Sequence, residues 1–128
     1  MAKLEVETTT SVRSDGDGFY TVYLGVLVSE ADGTPVQGLK KGEFNVAVVD
    51  GPTHVQVKEF GESSTETGWP ADGLYRLLLW PQQGEWPPGE QYACVLAVTR
   101  SYLGGEGLQA IWDRGQALFT FTLTSTLI

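Results

Sequence analysis

Apolar and polar residues alternate in short runs along most of the chain, and clusters of Gly, Pro and Asp separate these runs. A period of two places successive side chains on opposite faces of a strand, whereas an amphipathic helix repeats its apolar residues every three or four positions. No segment has a convincing helical period. The pattern therefore predicts seven strands, at Lys3–Val12, Phe19–Ser29, Phe44–Val48, Val55–Val57, Leu74–Trp80, Gln91–Thr99 and Ala117–Leu123.

The same alternation assigns faces within the strands. In the second run Tyr23 and Leu27 lie on one face, and the other carries Val22, Leu24, Val26 and Val28. Two segments are poor in strand character. Residues 61–71, rich in Ser, Thr and Glu, are expected to cross between sheets, and residues 100–116 are expected to form a long loop with a short turn of helix around 108–112.

Strands of this length without intervening helices pair antiparallel, in a two-sheet sandwich or a small barrel. We favour the sandwich. Tyr92 stands two residues before Cys94 near the start of the penultimate strand, which is the position of the tyrosine corner in immunoglobulin-like folds. The expected fold is all-β, an antiparallel Ig-like two-sheet sandwich of about seven strands in one domain over residues 1–128. The earlier Cys and core Trp of antibody domains are absent.

Residues 28–46 read Val-Ser-Glu-Ala-Asp-Gly-Thr-Pro-Val-Gln-Gly-Leu-Lys-Lys-Gly-Glu-Phe-Asn-Val. This segment resembles the D-x-D-G-x-P-V-x-G-L…F-x-V signature of bacterial Ig-like modules, above all those beside von Willebrand A domains, where a strand ending in Asp-Gly follows, as at Val48–Gly51. Invasin-like and macroglobulin-like repeats have a looser version. The resemblance implies a sandwich fold, an extracytoplasmic spacer or adhesion role, and no catalytic residues.

The charge balance narrows the class of partner. There are 16 acidic and 8 basic residues, a net charge of -8, and no Lys or Arg cluster follows a stripe. Nucleic acids and anionic membranes would be repelled by such a surface. Hydrophobic residues make up 41% of the chain, which favours a folded protein over a disordered one. The partners that remain are another protein, a second copy of this chain or a glycan.

Several sites and segments are excluded on composition. The single Cys cannot form an intrachain disulfide, and one Cys with one His cannot supply a structural zinc site, so no cofactor is predicted. The N-terminus lacks the apolar region of a signal peptide, and no stretch is long enough to span a bilayer. No membrane insertion is expected, and both a cytoplasmic protein and a domain of an extracytoplasmic protein fit.

Candidates for metal binding and catalysis are few. Asp15 and Asp17 alternate with glycines, a pattern that a calcium loop or a plain hairpin connection would produce. His54 has no Gly-x-Ser-x-Gly motif to accompany it and fits an exposed strand position. Cys94 shares a face with apolar residues of its strand and is expected to be a buried small hydrophobe. No catalytic residue is therefore predicted.

Tryptophans near turn residues are the main candidates for ligand binding. Indole rings stack on sugars and are frequent in protein interfaces, but they also cap the open ends of sandwiches. If they are exposed, the predicted binding residues are Trp112, Tyr102, Asp113, Trp69 and Trp86.

Three functional hypotheses follow. The first is a non-enzymatic structural or interaction module that binds a protein partner, acts as a spacer or assembles with itself, which the apolar run Phe119–Ile128 would favour. The second is a carbohydrate-binding module that uses the loop tryptophans, with calcium assistance. The third, an enzyme, has no positive feature in its support.

Overall fold

The computed structural model of the chain describes residues 3–14, 20–62, 73–104 and 109–124, with the backbone alone at 62, 101–104 and 109–112. Within these ranges the chain forms seven β-strands and one short 3-10 helix at Lys41–Glu43. The strands are β1 (Leu4–Ser14), β2 (Tyr20–Glu30), β3 (Phe44–Asp50), β4 (Val55–Glu62), β5 (Leu74–Pro81), β6 (Gln91–Gly104) and β7 (Gln109–Thr122).

The strands build two antiparallel sheets. One has the order β1-β2-β5-β4 and the other the order β3-β6-β7. The prediction of an all-β, antiparallel, two-sheet sandwich with seven strands is thereby confirmed. The alternation of apolar and polar residues favours this sandwich, because each strand presents one apolar face to the space between the sheets.

Burial along β2 follows the predicted faces. The valines and the leucine of the inner face are fully buried, whereas Leu27 on the outer face is 40% exposed. On β6 the inner face includes Tyr92, Cys94, Leu96 and Val98, all of them fully buried. The prediction that Cys94 is a small hydrophobic core residue is confirmed. Burying one Val or Leu side chain stabilises a fold by about 1.5–3 kcal/mol, so these two strands contribute much of the core energy.

Strand β1 connects the two sheets at one edge. Its N-terminal residue Lys3 forms a parallel bridge with Arg114 of β7, and the Thr10 hydroxyl donates a hydrogen bond to the Thr120 carbonyl at 3.4 Å. The approach is close at Gly115, where a Cβ would lie 2.4 Å from the Leu4 carbonyl oxygen. Only glycine leaves room for the β1 backbone there.

The prediction for residues 61–71 is wrong. This segment is expected to cross between sheets, but the strands on either side of it, β4 and β5, are neighbours in one sheet, paired from Val55↔Pro81 to Glu62↔Tyr75. Residues 61 and 62 belong to β4, and 63–71 lie outside the described residues. The pairing shifts between Val57 and Glu59, which marks a bulge. The bulge interrupts the alternation, so the sequence pattern ends β4 several residues too early.

The prediction of a long loop at residues 100–116 is also wrong. Strands β6 and β7 continue as a hairpin through the pairs Arg100↔Asp113 and Gly104↔Gln109, and the described part of this segment contains no helical turn. The inward positions at this end carry Arg100 and Asp113 instead of apolar residues. Charged residues on a core face hide the alternation that would otherwise predict a strand.

Tyr92 departs from the tyrosine-corner pattern. Its hydroxyl shares a 2.7 Å hydrogen bond with the hydroxyl of Thr53, in the connection between β3 and β4. A tyrosine corner instead bonds the backbone a few residues upstream of the tyrosine. Tyr92 therefore ties the start of β6 to a turn that is distant in sequence.

Candidate interaction surface on the four-stranded sheet

The outer face of the four-stranded sheet carries large apolar side chains. Among the described residues the exposed large hydrophobics are Leu27, Val49, Trp80 and Leu118. Leu27 and Trp80, which are 40% and 42% exposed, both lie on this face. A sheet face that meets water normally alternates polar residues against the buried face, so large apolar residues here need a reason.

The strand register gathers these residues into one band. Leu27 lies opposite Leu74, Tyr23 lies opposite Leu78, and Trp80 follows at the end of β5. We use the name outer-face patch for the set Tyr23, Leu27, Leu74, Arg76, Leu78 and Trp80. Every second residue of β5 from Leu74 onward belongs to it, because residues at this spacing share a face.

Two cations lie against the aromatic rings of this face. The guanidinium carbon of Arg76 is 4.0 Å from the centre of the Tyr23 ring. The Lys58 ammonium is 6.0 Å from the centre of the Trp80 ring. Such contacts contribute about 0.5–1 kcal/mol each when they are exposed.

Two glycines flank Arg76 on the same row of the sheet. Gly25 pairs with Arg76 on one side and Gly61 on the other. A Cβ at Gly61 would meet nothing within 4 Å, and one at Gly25 would meet Thr9 only at ordinary contact distance. A glycine inside a strand lowers stability by about 0.5–1 kcal/mol relative to alanine. Where packing within the chain does not require a glycine, it leaves room for another molecule to approach the backbone.

An ion triad lies at one end of the sandwich core. We define it as Glu30, Arg100 and Asp113, which occupy inward positions at the end of β2 and within β6 and β7. Arg100 donates to Asp113 through Nε at 3.0 Å and through a terminal nitrogen at 2.5 Å, and to Glu30 at 2.9 Å. Asp113 is fully buried, while the side chains of Arg100 and Glu30 are 25% and 39% exposed.

The electrostatics of the triad keep Arg100 in its charged form. Burial lowers the pKa of Arg100, but the hydrogen bonds to Asp113 and Glu30 outweigh it, so the pKa lies above its usual value. Asp113 is predicted from the sequence to be an exposed residue that binds a ligand or partner. It instead links β7 to β6 from inside the sandwich, and the open depression beside the triad is lined by Gln37, Gly38, Leu39, Lys40, Gly42 and Glu43.

Trp86 lies at the opposite end of the core. It is 5% exposed and meets Tyr92 and Phe121 edge-on, at ring-centre distances of 5.5 and 5.7 Å. Its indole nitrogen has no hydrogen-bond partner among the described residues. The ring therefore caps the sandwich, which is the second of the two interpretations that the sequence leaves open for it.

The other predicted site residues do not gather with these. Tyr102 pairs with Ile111 and Trp112 pairs with Ser101 in the β6–β7 hairpin, where the backbone alone is described. Trp69, Asp15 and Asp17 lie outside the described residues. Arg100 and Tyr92 are eight positions apart on β6, so the ends that hold Asp113 and Trp86 are separated by about 27 Å of strand.

The described parts of the chain offer little for catalysis. His54 is exposed just before β4, where its carbonyl accepts the Gln82 N–H at 3.0 Å. Burial raises the pKa of Cys94 to about 11, which keeps the thiol protonated. In ranges 3–14, 20–62, 73–104 and 109–124 no group of three His, Cys, Asp or Glu residues could hold a metal, and no helix is long and apolar enough to cross a membrane.

Sequence reasoning missed the outer-face patch as a site. The sequence places Trp80 next to Pro81, and its alternation places Tyr23 and Leu27 on one face of their strand. The signal that could have joined them is β5, whose two faces are both mainly apolar. A strand with two apolar faces in an antiparallel sheet is covered on both sides or carries a binding surface.

Comparisons with family models, with curated proteins and with solved structures give no match for this chain.

Proposed function

We propose that this chain is an immunoglobulin-like, non-enzymatic interaction module that binds a protein partner through the outer-face patch. The observation that carries the proposal is the exposure of Trp80 and Leu27 beside Tyr23 and Arg76 on one sheet face. Trp, Tyr and Arg are the residue types that most often dominate the binding energy of protein interfaces. Trp80 and Leu27 are therefore expected to be the anchors.

The strand order supports the immunoglobulin-like assignment. Constant-type immunoglobulin domains place their first, second, fifth and fourth strands in one sheet and their third, sixth and seventh in the other. The orders β1-β2-β5-β4 and β3-β6-β7 agree with that arrangement. The resemblance of residues 28–46 to bacterial Ig-like modules points the same way, toward a spacer or adhesion role.

A protein partner is better supported than a sugar on this face. Sugar rings stack on free aromatic faces, but Tyr23 already has the Arg76 guanidinium over its ring and Trp80 has Lys58 nearby. The three leucines of the patch offer apolar area without a stacking platform. These features match the apolar core of a protein interface.

Site-specific photo-cross-linking in the organism that makes the protein tests this function. We expect a benzophenone amino acid at Leu27 to form adducts with another protein chain. The matched control is the same amino acid at Leu118, which is 75% exposed on the outer face of the other sheet, opposite Val95. Trp80→Thr in the Leu27 variant should remove the adducts. The absence of adducts from Leu27, or equal adducts from Leu118, would contradict the proposal.

A further inference from the structure

We propose that the partner of the outer-face patch is a second copy of this chain, packed face to face with a two-fold axis that runs across the strands. This inference rests on the proposed function and names the occupant of the same surface. It is carried by the arrangement of charges and apolar residues along the face, which is complementary to itself.

The charges of β1 provide the first step. Residues at odd positions of β1 face outward and are exposed, and they place Glu5 and Glu7 toward one end of the strand and Arg13 toward the other. Glu7 pairs with Leu27 of β2, and Arg13 pairs with Thr21. Six residues of strand separate them by about 20 Å, so they do not pair within one chain.

The rows of the sheet provide the second step. The row Glu7–Leu27–Leu74 lies at one end of the face, and Trp80 lies at the other end, level with Arg13. Between them lie the row of Gly25 and Arg76 and the row of Tyr23 and Leu78. A two-fold axis across the strands, midway between these inner rows, exchanges each end with the other.

The contacts that this axis creates are favourable in each row. Glu7 of each copy meets Arg13 of the partner subunit, and Leu27 with Leu74 meets the partner's Trp80. Arg76, with a glycine on either side, meets the row of Tyr23 and Leu78. A two-fold interface uses the same patch twice and therefore needs both halves of each contact on one surface. An axis parallel to the strands would instead place Arg13 of β1 opposite the uncharged Gln56 of β4, and the Glu7–Arg13 contacts would be lost.

The size of the face fits a reversible dimer. Four strands about 4.8 Å apart and nine residues long cover roughly 500 Å² in projection. The accessible surface of a pleated face is larger than its projection, which brings it toward the roughly 800 Å² per partner of a standard interface. We therefore expect a dimer that dissociates on dilution.

Charge reversal combined with light scattering tests the geometry. We expect the wild-type mass to rise with concentration toward that of two chains. Glu7→Arg alone and Arg13→Glu alone should each raise the dimer dissociation constant about 10-fold or more, since each brings like charges together twice. The double variant Glu7→Arg with Arg13→Glu should restore the wild-type constant, because every contact is then reversed.

Further variants separate the patch from other surfaces. Trp80→Thr should leave a monomer at all concentrations, while Leu118→Thr on the other sheet should leave the dimer unchanged. All these residues are exposed, so circular dichroism should report the wild-type fold in each variant. A wild-type monomer up to millimolar concentration, or single reversals that the double variant fails to rescue, would overturn the inference.

The outcome also separates this inference from the proposed function. A monomeric protein whose Leu27 cross-linker forms adducts of a mass other than two chains would overturn the second copy and retain the interaction surface. A monomer without any adduct would overturn both.

Discussion

The thiol of Cys94 lies on the inner face of β6, between the side chains of Tyr92 and Leu96, and is fully buried. Burial disfavours the charged thiolate and raises the pKa of Cys94 to about 11 from an ordinary value of 9.0. The thiolate is the form that attacks disulfides and alkylating reagents. At the scale of the residue, position in the strand therefore makes this cysteine inert.

We expect Cys94 in the folded protein to react with an aromatic disulfide reagent at pH 8 at least about 100-fold more slowly than in the denaturant-unfolded chain. The shift in pKa alone reduces the thiolate fraction by about that factor, and burial limits access further. Absorbance of the released thiol measures both rates. Equal rates would show that the strand opens readily or that the thiol is exposed.

The same shift gives a pH dependence of stability. The folded pKa lies above the unfolded one, so the contribution of Cys94 is complete below about pH 9 and is lost as the pH rises toward 11. The variant Cys94→Val has no titrating group and should lose less stability across this range. Tyr92, whose pKa burial also raises, is present in both proteins and cancels in the comparison.

At the scale of the element, β1 depends on the absence of a side chain in β7. A Cβ at Gly115 would lie 2.4 Å from the Leu4 carbonyl oxygen and 2.8 Å from a methyl carbon of Val6. Both neighbours are held in β1, and a backbone oxygen cannot turn away as a flexible side chain can. The edge where β1 joins the two sheets therefore has no room for alanine.

Gly115→Ala should lower the free energy of unfolding by about 2 kcal/mol or more, as overpacking of a rigid contact does. The matched control is Gly61→Ala, also in a strand, where nothing lies within 4 Å of the added carbon. That variant should be neutral or gain up to about 1 kcal/mol. Denaturant unfolding measures both, and a neutral Gly115→Ala would contradict the close approach of β1 to β7.

Local pattern predicts the strands whose alternation is regular and fails where a distant contact changes it. β2 and β5 begin within one residue of their predicted starts. β4 was predicted too short because its bulge after Val57 shifts the faces, and the β6–β7 hairpin was missed because Arg100 and Asp113 occupy inward positions. The residues around the β4 bulge and around the inward charges of β6 and β7 contain no local sequence pattern that predicts either feature.

The candidate site depends even more on the whole fold. Trp80 and Trp86 both precede proline, yet one is 42% exposed and the other 5%. What separates them is the second sheet, which covers the end where Trp86 packs and does not cover the outer face that carries Trp80. Alternation could place Tyr23 and Leu27 on one face, but it could not tell whether another layer covers that face.

At the scale of the whole molecule, the two ends of the sandwich are closed by different chemistry. Three aromatic rings, of Trp86, Tyr92 and Phe121, pack together at one end. The ion triad closes the other, and it joins β2 of one sheet to β6 and β7 of the other. An aromatic end gains stability from apolar burial, whereas an ionic end must offset the cost of removing charge from water.

This difference predicts strong coupling between Arg100 and Asp113. Arg100→Leu alone leaves the fully buried Asp113 carboxylate without its cation and should cost about 3 kcal/mol or more of unfolding free energy. The double variant Arg100→Leu with Asp113→Leu removes both charges and should recover most of that loss, since apolar replacement of a buried ion pair is often neutral.

Glu30→Gln removes only the partly exposed partner and should cost less than about 1 kcal/mol of unfolding free energy. Denaturant unfolding of the four proteins, with Asp113→Leu to complete the cycle, measures the coupling energy. Strict additivity would mean that Arg100 and Asp113 contribute to stability independently of each other. A double variant less stable than Arg100→Leu would mean that the buried pair is a net source of stability.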